Sequence, residues 1–163
     1  MLQSLNLEAN LPTPIHVLDT SKFQDYSLLR ILHDVNVTLN IKRDDMAGGP
    51  ELGGNKIRKL EFLLADALSK GCDSVVTIGG EQSNHCRATA CAARLVGLEP
   101  HLILRTNKAT YEENGDEALG MKGNILYDRL AGSTIYTCAP GEVRRCCHEL
   151  RTAANGCSVS VCC

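Results

Sequence analysis

The chain has 163 residues, 44% of them apolar, and a formal net charge of −2. This length is typical of one domain with its own hydrophobic core, and the charge argues against a nucleic-acid partner. No stretch approaches the roughly 18 apolar residues of a membrane span, and no basic residue precedes an apolar run near Met1. We therefore expect no membrane partner, no signal peptide and a cytoplasmic protein, with an organelle as the open alternative.

The first part of the chain, residues 1–55, is predicted to be an arm, a strand and a glycine loop. Pro12 and Pro14 keep the start of the arm extended, and a short helix follows over Leu28 to His33. Apolar and polar residues then alternate over Val37 to Lys42, which predicts a half-buried strand. Asp44 to Gly54 forms a glycine-rich loop.

A helix is predicted from Lys56 to Lys70, with Gly71 ending it. It starts with Lys56, Arg58 and Lys59, three cations that oppose the positive end of the helix dipole at a cost of roughly 0.3–1 kcal/mol each. Neighbouring positive charge and partial burial favour a neutral lysine amine, and such an amine can form a Schiff base. The alternative is an ordinary helix start with solvated lysines.

A second polar segment follows the next apolar run. Ser74 to Ile78 predicts a parallel strand that is buried on both faces and is ended by Gly79 and Gly80. Ser83 or Asn84 then caps a helix that runs to Val96. A helix start above the carboxyl edge of a sheet binds anions. Because a third spaced glycine and a P-loop lysine are missing, a substrate carboxylate fits better than a nucleotide. The alternative is a plain helix cap.

The remaining elements continue the alternation. His101 to Leu104 is a predicted strand, Thr106 to Leu119 an acidic loop, Met121 to Leu130 a helix and Ser133 to Thr137 the last strand. This order predicts an α/β fold with a parallel, open, twisted sheet and flanking helices. Residues 56–138 would form this α/β lobe. Residues 139–163 would form a divergent tail, with a helix over Val143 to Ala154 and no further strand.

The tail is rich in cysteine. The chain has nine cysteines, and six of them lie in the last 26 residues: Cys138, Cys146, Cys147, Cys157, Cys162 and Cys163. No Cys-x-x-Cys pair occurs among them, and nothing indicates the oxidising compartment that a disulfide framework needs. We therefore predict no metal site, with zinc in the tail as a weaker alternative.

Together, the Lys56 and Ser83 segments resemble the D-cysteine desulfhydrase and 1-aminocyclopropane-1-carboxylate deaminase family of fold-type II pyridoxal-phosphate enzymes. The resemblance begins near Pro12 to Ile15, continues through Ile41 to Asp45 and reaches the helix near Gly123 to Leu126, so it covers most of the chain up to about Tyr136. The separation of the lysine and serine motifs also matches the family.

The resemblance implies a role for each motif residue. Lys56 would hold pyridoxal 5′-phosphate as a Schiff base, and Asn84 would hydrogen-bond the hydroxyl oxygen of its ring. Ser83 would lie beside the substrate, and the backbone from Ser83 to His85 would bind the substrate carboxylate. Lys59 matches a second family lysine near the site. The Ser-Asn-His form, rather than Ser-Asn-Gln, favours the desulfhydrase branch.

The expected function is that of a pyridoxal-phosphate lyase that converts D-cysteine to pyruvate, sulfide and ammonia. Lys56 and Ser83 would be its catalytic residues, and Lys56 its general base. The family's second, larger domain has no counterpart here, so we expect a truncated or alternatively spliced product and treat its activity as open. Full-length members are expected to be homo-oligomers. The alternatives are 1-aminocyclopropane-1-carboxylate deaminase and a non-catalytic α/β fragment that binds a partner subunit.

Overall fold

A computed structural model describes most of the chain, and two β-sheets carry the fold. The described residues are 4–7, 9–23, 25–49, 51–106, 119–139, 141–142, 144–146, 148 and 158–161. The predicted acidic loop therefore lies largely outside the described residues, as does much of the cysteine-rich tail.

The smaller sheet is an antiparallel pair in the N-terminal part of the chain. It consists of β1 (Ile15–Leu18) and β2 (Leu39–Lys42), and α1 (Ser27–Asp34) lies between them in sequence. The helix and the second strand confirm two predictions, whereas β1 was not predicted. The expectation of a half-buried strand is wrong, since Val37 and Ile41 remain 45% and 39% exposed. No described element covers that apolar face.

The larger sheet confirms the α/β prediction. Its strand order is β5-β4-β3-β6, and every neighbouring pair is parallel. The strands are β3 (Ser74–Gly80), β4 (Glu99–Arg105), β5 (Thr134–Cys138) and β6 (Ser158–Val161). Parallel neighbours need crossover connections, and one helix connects β3 to β4 and another connects β4 to β5.

Two strand predictions are wrong. Strand β3 does not end before Gly79 and Gly80, because both glycines pair with β4 in register. Ladder pairing uses backbone groups, so a glycine does not end a strand whose neighbour offers partners. In addition, the tail does contribute a strand, since β6 pairs with β3 from Ser74 to Thr77. Its sequence alternates serine and valine over four residues, which is too short to stand out as a strand pattern.

The helices of the larger sheet are α2 (Ile57–Ser69), α3 (Asn84–Leu95) and α4 (Asn124–Leu130). Helix α2 buries the side chains that its periodicity predicts, among them Ile57, Leu60 and Leu64, although Leu68 is 38% exposed. Helix α3 packs with alanines at 88, 90, 92 and 93, all fully buried, so it lies close to its neighbours. No helix in the described part of the chain is long and apolar enough to cross a membrane.

Candidate active site

The start of α3 sits directly after the end of β3. The hydroxyl oxygen of Ser83 accepts a hydrogen bond from the backbone N–H of Cys86 at 3.2 Å, so Ser83, not Asn84, is the N-cap. The N–H of Ser83 donates to the carbonyl oxygen of Gly80 at 3.0 Å. The backbone N–H of the next residue, Asn84, has no acceptor among the described residues. It is a donor at the positive end of a helix, where an anion binds favourably.

Gly79 allows this close approach of helix and strand. A Cβ atom built on Gly79 would lie 2.6 Å from Cβ and Oγ of Ser83 and 2.6 Å from Sγ of Cys86. Real Cβ atoms do not approach other atoms so closely, so any larger residue would push the helix start away from the strand end. The glycine at 79 is therefore part of what positions Ser83.

Lys56 stands at the start of α2, in the first of the two predicted segments. It is the N-cap residue of α2, is half-buried, and has helical backbone angles with φ −74° and ψ −30°. Gly54 leads into it with φ +111°, a conformation that favours glycine. Lys59 is exposed and is the third residue of α2. The side chain of Lys56 itself makes no capping hydrogen bond with the start of α2.

Arg58 does not act as the uncompensated cation that the sequence predicts. Its guanidinium binds the Asp44 carboxylate through two hydrogen bonds of 2.8 and 3.0 Å. The Thr13 hydroxyl donates to the same carboxylate at 2.8 Å. The hydrogen bonds from Arg58 and Thr13 hold the pKa of Asp44 well below its usual range. The ion pair therefore offsets the charge of Arg58 at the helix start and ties α2 to the loop before it.

An open cavity of about 440 Å³ lies between the glycine loop and the start of α3. Its walls are formed by Asp45, Gly49, Gly53, Gly54, Asn84, Arg87 and Tyr127. Among the predicted site residues, only Asn84 lines it directly. Lys56 follows two residues after the lining residue Gly54. His85 is only 4% exposed and both of its ring nitrogens are buried, so its side chain faces the protein interior.

A hydrogen-bond network that the sequence did not reveal links these parts. Arg87 donates to the carbonyl oxygen of Gly53 at 2.8 Å and to Oδ1 of Asn124 at 3.1 Å. The Asn124 amide in turn donates to Oδ1 of Asn84 at 3.1 Å. Asn124 begins α4, directly after Gly123. The only sequence signal was this glycine-asparagine helix start, which says nothing about what the asparagine contacts.

Beside the network lies a buried acid, Asp128 of α4. Its side chain is 0% exposed, and neither carboxylate oxygen has a hydrogen-bond partner in the part of the chain that the structure describes. Burial raises the pKa of Asp128 to about 7, against the opposing charge of Arg87. Burial, together with the charges of Asp128 and Glu51, also raises the pKa of Cys91 to about 11.

We expect the free energy of unfolding of the unmodified chain to fall as the pH rises from 4 towards 7. Asp128→Asn should remove this fall. The raised pKa means that the folded chain holds a proton that the unfolded chain releases near pH 4. The contribution of Asp128 to the free energy of unfolding is therefore highest below pH 4 and falls towards pH 7, by at most about 1.4 kcal/mol per pH unit. Urea denaturation from pH 4 to pH 8 measures this. The two proteins should be similar at pH 4 and the variant more stable at pH 8; parallel pH curves would contradict the expectation.

Comparison with known proteins connects this site to a family. The sequence profile described as "Pyridoxal-phosphate dependent enzyme" matches residues 9–160, which extends beyond Tyr136, where the resemblance in the sequence ends. The chain is 47% identical over 128 residues to the "Bifunctional D-cysteine desulfhydrase/1-aminocyclopropane-1-carboxylate deaminase, mitochondrial" of Arabidopsis thaliana, covering 78% of this chain and 28% of the relative. It is 37% identical over 99 residues to the 1-aminocyclopropane-1-carboxylate deaminase of Methylobacterium sp. (strain 4-46), covering 61% of this chain and 28% of the relative.

A solved structure of a related protein has a similar fold. The chain matches a crystal structure of an "ACC deaminase homologue" with a TM-score of 0.73 and 32% sequence identity, covering 99% of this chain and 44% of that one. The chain thus spans less than half the length of these three proteins. The profile match covers nearly all of the sequence, and the chain belongs to the family of pyridoxal-phosphate dependent enzymes.

Proposed function

We propose that this chain carries the cofactor lysine and part of the substrate site of a pyridoxal-phosphate lyase that acts on a small amino acid. One observation carries the proposal: a single cavity joins the glycine turn that leads into Lys56 with Asn84 at the start of α3. The family resemblance implies that Lys56 binds the cofactor covalently and that Asn84 forms a hydrogen bond with it.

Two groups at the cavity suit the ring of pyridoxal phosphate. Oδ1 of Asn84 already accepts from Asn124, so the NH₂ group of Asn84 remains to donate to an acceptor such as the ring hydroxyl oxygen. Tyr127 adds an aromatic side chain to the wall. When bound, pyridoxal phosphate accepts the electron pair released at the α-carbon of the substrate. Lys56 would bind the cofactor aldehyde through Nζ and, once displaced by the substrate amine, take the α-proton.

The start of α3 would bind and orient the substrate. The backbone N–H of Asn84 and the positive dipole end suit a carboxylate. The Ser83 hydroxyl uses a lone pair to accept from Cys86, which leaves its proton free to donate to a substrate beside it. Lys59, the exposed third residue of α2, would add positive charge near the site.

D-Cysteine is the first candidate substrate. Elimination of its β-thiol gives sulfide, and hydrolysis of the remaining three-carbon product gives pyruvate and ammonia. The Ser83-Asn84-His85 form supports this choice. 1-Aminocyclopropane-1-carboxylate is the second candidate, because the name of the Arabidopsis thaliana relative carries both activities.

The test is titration of the purified chain with pyridoxal phosphate, followed by visible absorbance. We expect a saturable band from the covalently bound cofactor, and a change in that band on adding D-cysteine but not L-cysteine. Sulfide release would identify the desulfhydrase reaction, and ammonia release from 1-aminocyclopropane-1-carboxylate the deaminase reaction. A chain that is folded by circular dichroism but gives no band at saturating cofactor would contradict the proposal and favour a non-catalytic, partner-binding fragment.

A further inference from the structure

Arg87 connects two parts of the cavity wall that come from distant parts of the sequence. It lies on the first turn of α3, and its guanidinium donates to the carbonyl oxygen of Gly53 at 2.8 Å and to Oδ1 of Asn124 at 3.1 Å. A guanidinium is a rigid planar group with several donors, so two simultaneous bonds fix both acceptors relative to each other. Arg87 therefore holds the glycine loop at a set distance from the start of α4.

The contact with Gly53 bears on the position of Lys56. Gly53 lies three residues before Lys56, and a Cβ atom on it would come within 2.9 Å of the Asp45 carbonyl oxygen. The N–H of Gly54 donates to the carbonyl oxygen of Asp44 at 3.0 Å. The loop is thus packed against its own backbone on one side, and Arg87 binds it from the other. This arrangement leaves the peptide that leads into Lys56 little freedom to shift.

The contact with Asn124 sets the orientation of two side-chain amides. A guanidinium has no acceptor, so the oxygen of the Asn124 amide must face Arg87. The NH₂ group of Asn124 then donates to the carbonyl oxygen of Gln82 at 2.7 Å and to Oδ1 of Asn84 at 3.1 Å. The oxygen of Asn84 is thereby occupied as an acceptor. Its NH₂ group is left for the cavity that Asn84 lines.

We infer that Arg87 is a positioning residue of the cofactor site, which fixes the segment before Lys56 and makes Asn84 a hydrogen-bond donor towards the cavity. This inference rests on the proposed function, in which Lys56 and Asn84 bind pyridoxal phosphate. Arg87 itself need not touch the cofactor. Without it, the Gln82 carbonyl alone holds the Asn124 amide, so both amides are less firmly oriented. Asn84 can then turn its oxygen towards the cavity, where it repels the ring hydroxyl oxygen.

The cofactor test compares Arg87→Met with Arg94→Met in the full chain. Arg94 is a matched control on the same helix, because it also donates to two carbonyl oxygens, those of Ala131 and Gly132, away from the cavity. We expect Arg87→Met to weaken pyridoxal-phosphate binding about tenfold, as the loss of a charged hydrogen bond does, and Arg94→Met to change it less than about twofold. Arg87→Lys keeps the charge but cannot bridge both acceptors, so it should restore only part of the affinity.

A double-mutant cycle separates positioning from a general loss of stability. In an Asn84→Ala background, Arg87→Met should weaken cofactor binding by a smaller factor than it does in the unmodified chain, because part of its effect passes through Asn84. Equal factors in the two backgrounds, or equal effects of Arg87→Met and Arg94→Met, would overturn the inference.

A second readout needs no cofactor and keeps this inference distinct from the proposed function. In the ¹⁵N-labelled, cofactor-free chain, the side-chain amide protons of Asn124 should exchange with water more slowly than those of Asn84, because two acceptors hold them. Arg87→Met should make this difference smaller, because the Asn124 amide then loses the donor that fixes its oxygen, and Arg94→Met should leave the difference unchanged. If Arg87→Met also leaves the difference unchanged, Arg87 does not orient the amides, whether or not the chain binds pyridoxal phosphate.

Discussion

Lys56→Ala is expected to abolish covalent binding of pyridoxal phosphate and with it the visible absorbance of the loaded chain. An alanine has no amine to react with the cofactor aldehyde, so only the hydrogen bonds of the cavity would remain. Lys56 also stands at the N-cap of α2 without a side-chain cap bond, so its removal should cost little stability. Absorbance titration measures the first effect and urea denaturation the second.

Two substitutions serve as controls for this prediction. Lys56→Arg keeps the positive charge but offers no amine that is neutral near pH 7, so it should also lose the band. Lys59→Ala removes the neighbouring exposed lysine and should keep it. A band of full amplitude in Lys56→Ala would show that another lysine carries the cofactor.

Gly79→Ala is expected to destabilise the chain and damage the site at once. Its Cβ would lie 2.6 Å from Ser83 and from Cys86, so the start of α3 has to move away from β3. Overpacking of this kind costs about 1–3 kcal/mol, and losing the Ser83 cap adds about 1 kcal/mol. Urea denaturation should show the lower free energy of unfolding, and pyridoxal-phosphate affinity should fall with it.

The neighbouring glycine is the matched control. Among the residues that the structure describes, no atom lies within 4 Å of a Cβ atom built on Gly80, although Gly80 belongs to the same strand. Gly80→Ala should therefore change the free energy of unfolding by no more than about 0.5 kcal/mol. Similar losses in the two variants would mean that the close approach at Gly79 does not limit the position of Ser83.

The elements that could be predicted from the sequence are those whose signals are local. Helix α2 and the buried residues Ile57, Leu60 and Leu64 follow from apolar spacing, and Ser83 is a preferred cap residue just after a turn. The parallel sheet follows from the alternation of strands and helices. Strand β1, in contrast, has four residues, and its pairing with β2 depends on a partner more than twenty residues away.

The parts of the site that could not be predicted depend on long-range contacts. The hydrogen bonds of Arg87 reach Gly53 and Asn124, which are 34 and 37 residues away from it in the sequence. No local pattern indicates which carbonyl or amide group an arginine will contact. The same holds for Arg58, whose charge is unfavourable at a helix start unless it is paired, and its partner Asp44 lies in the loop before the helix. Asp128 has the spacing of an ordinary helical residue, and only packing reveals that its carboxylate is buried without a partner.

The most direct test of the central claim is to trap the cofactor chemically on the chain. Borohydride reduces a lysine Schiff base to a stable secondary amine, and peptide mapping by mass spectrometry then identifies the modified residue. We predict stoichiometric modification of Lys56 in the chain incubated with pyridoxal phosphate. Modification of Lys59 or Lys70 instead, or low modification spread over several surface lysines, would contradict the assignment of Lys56 as the cofactor lysine.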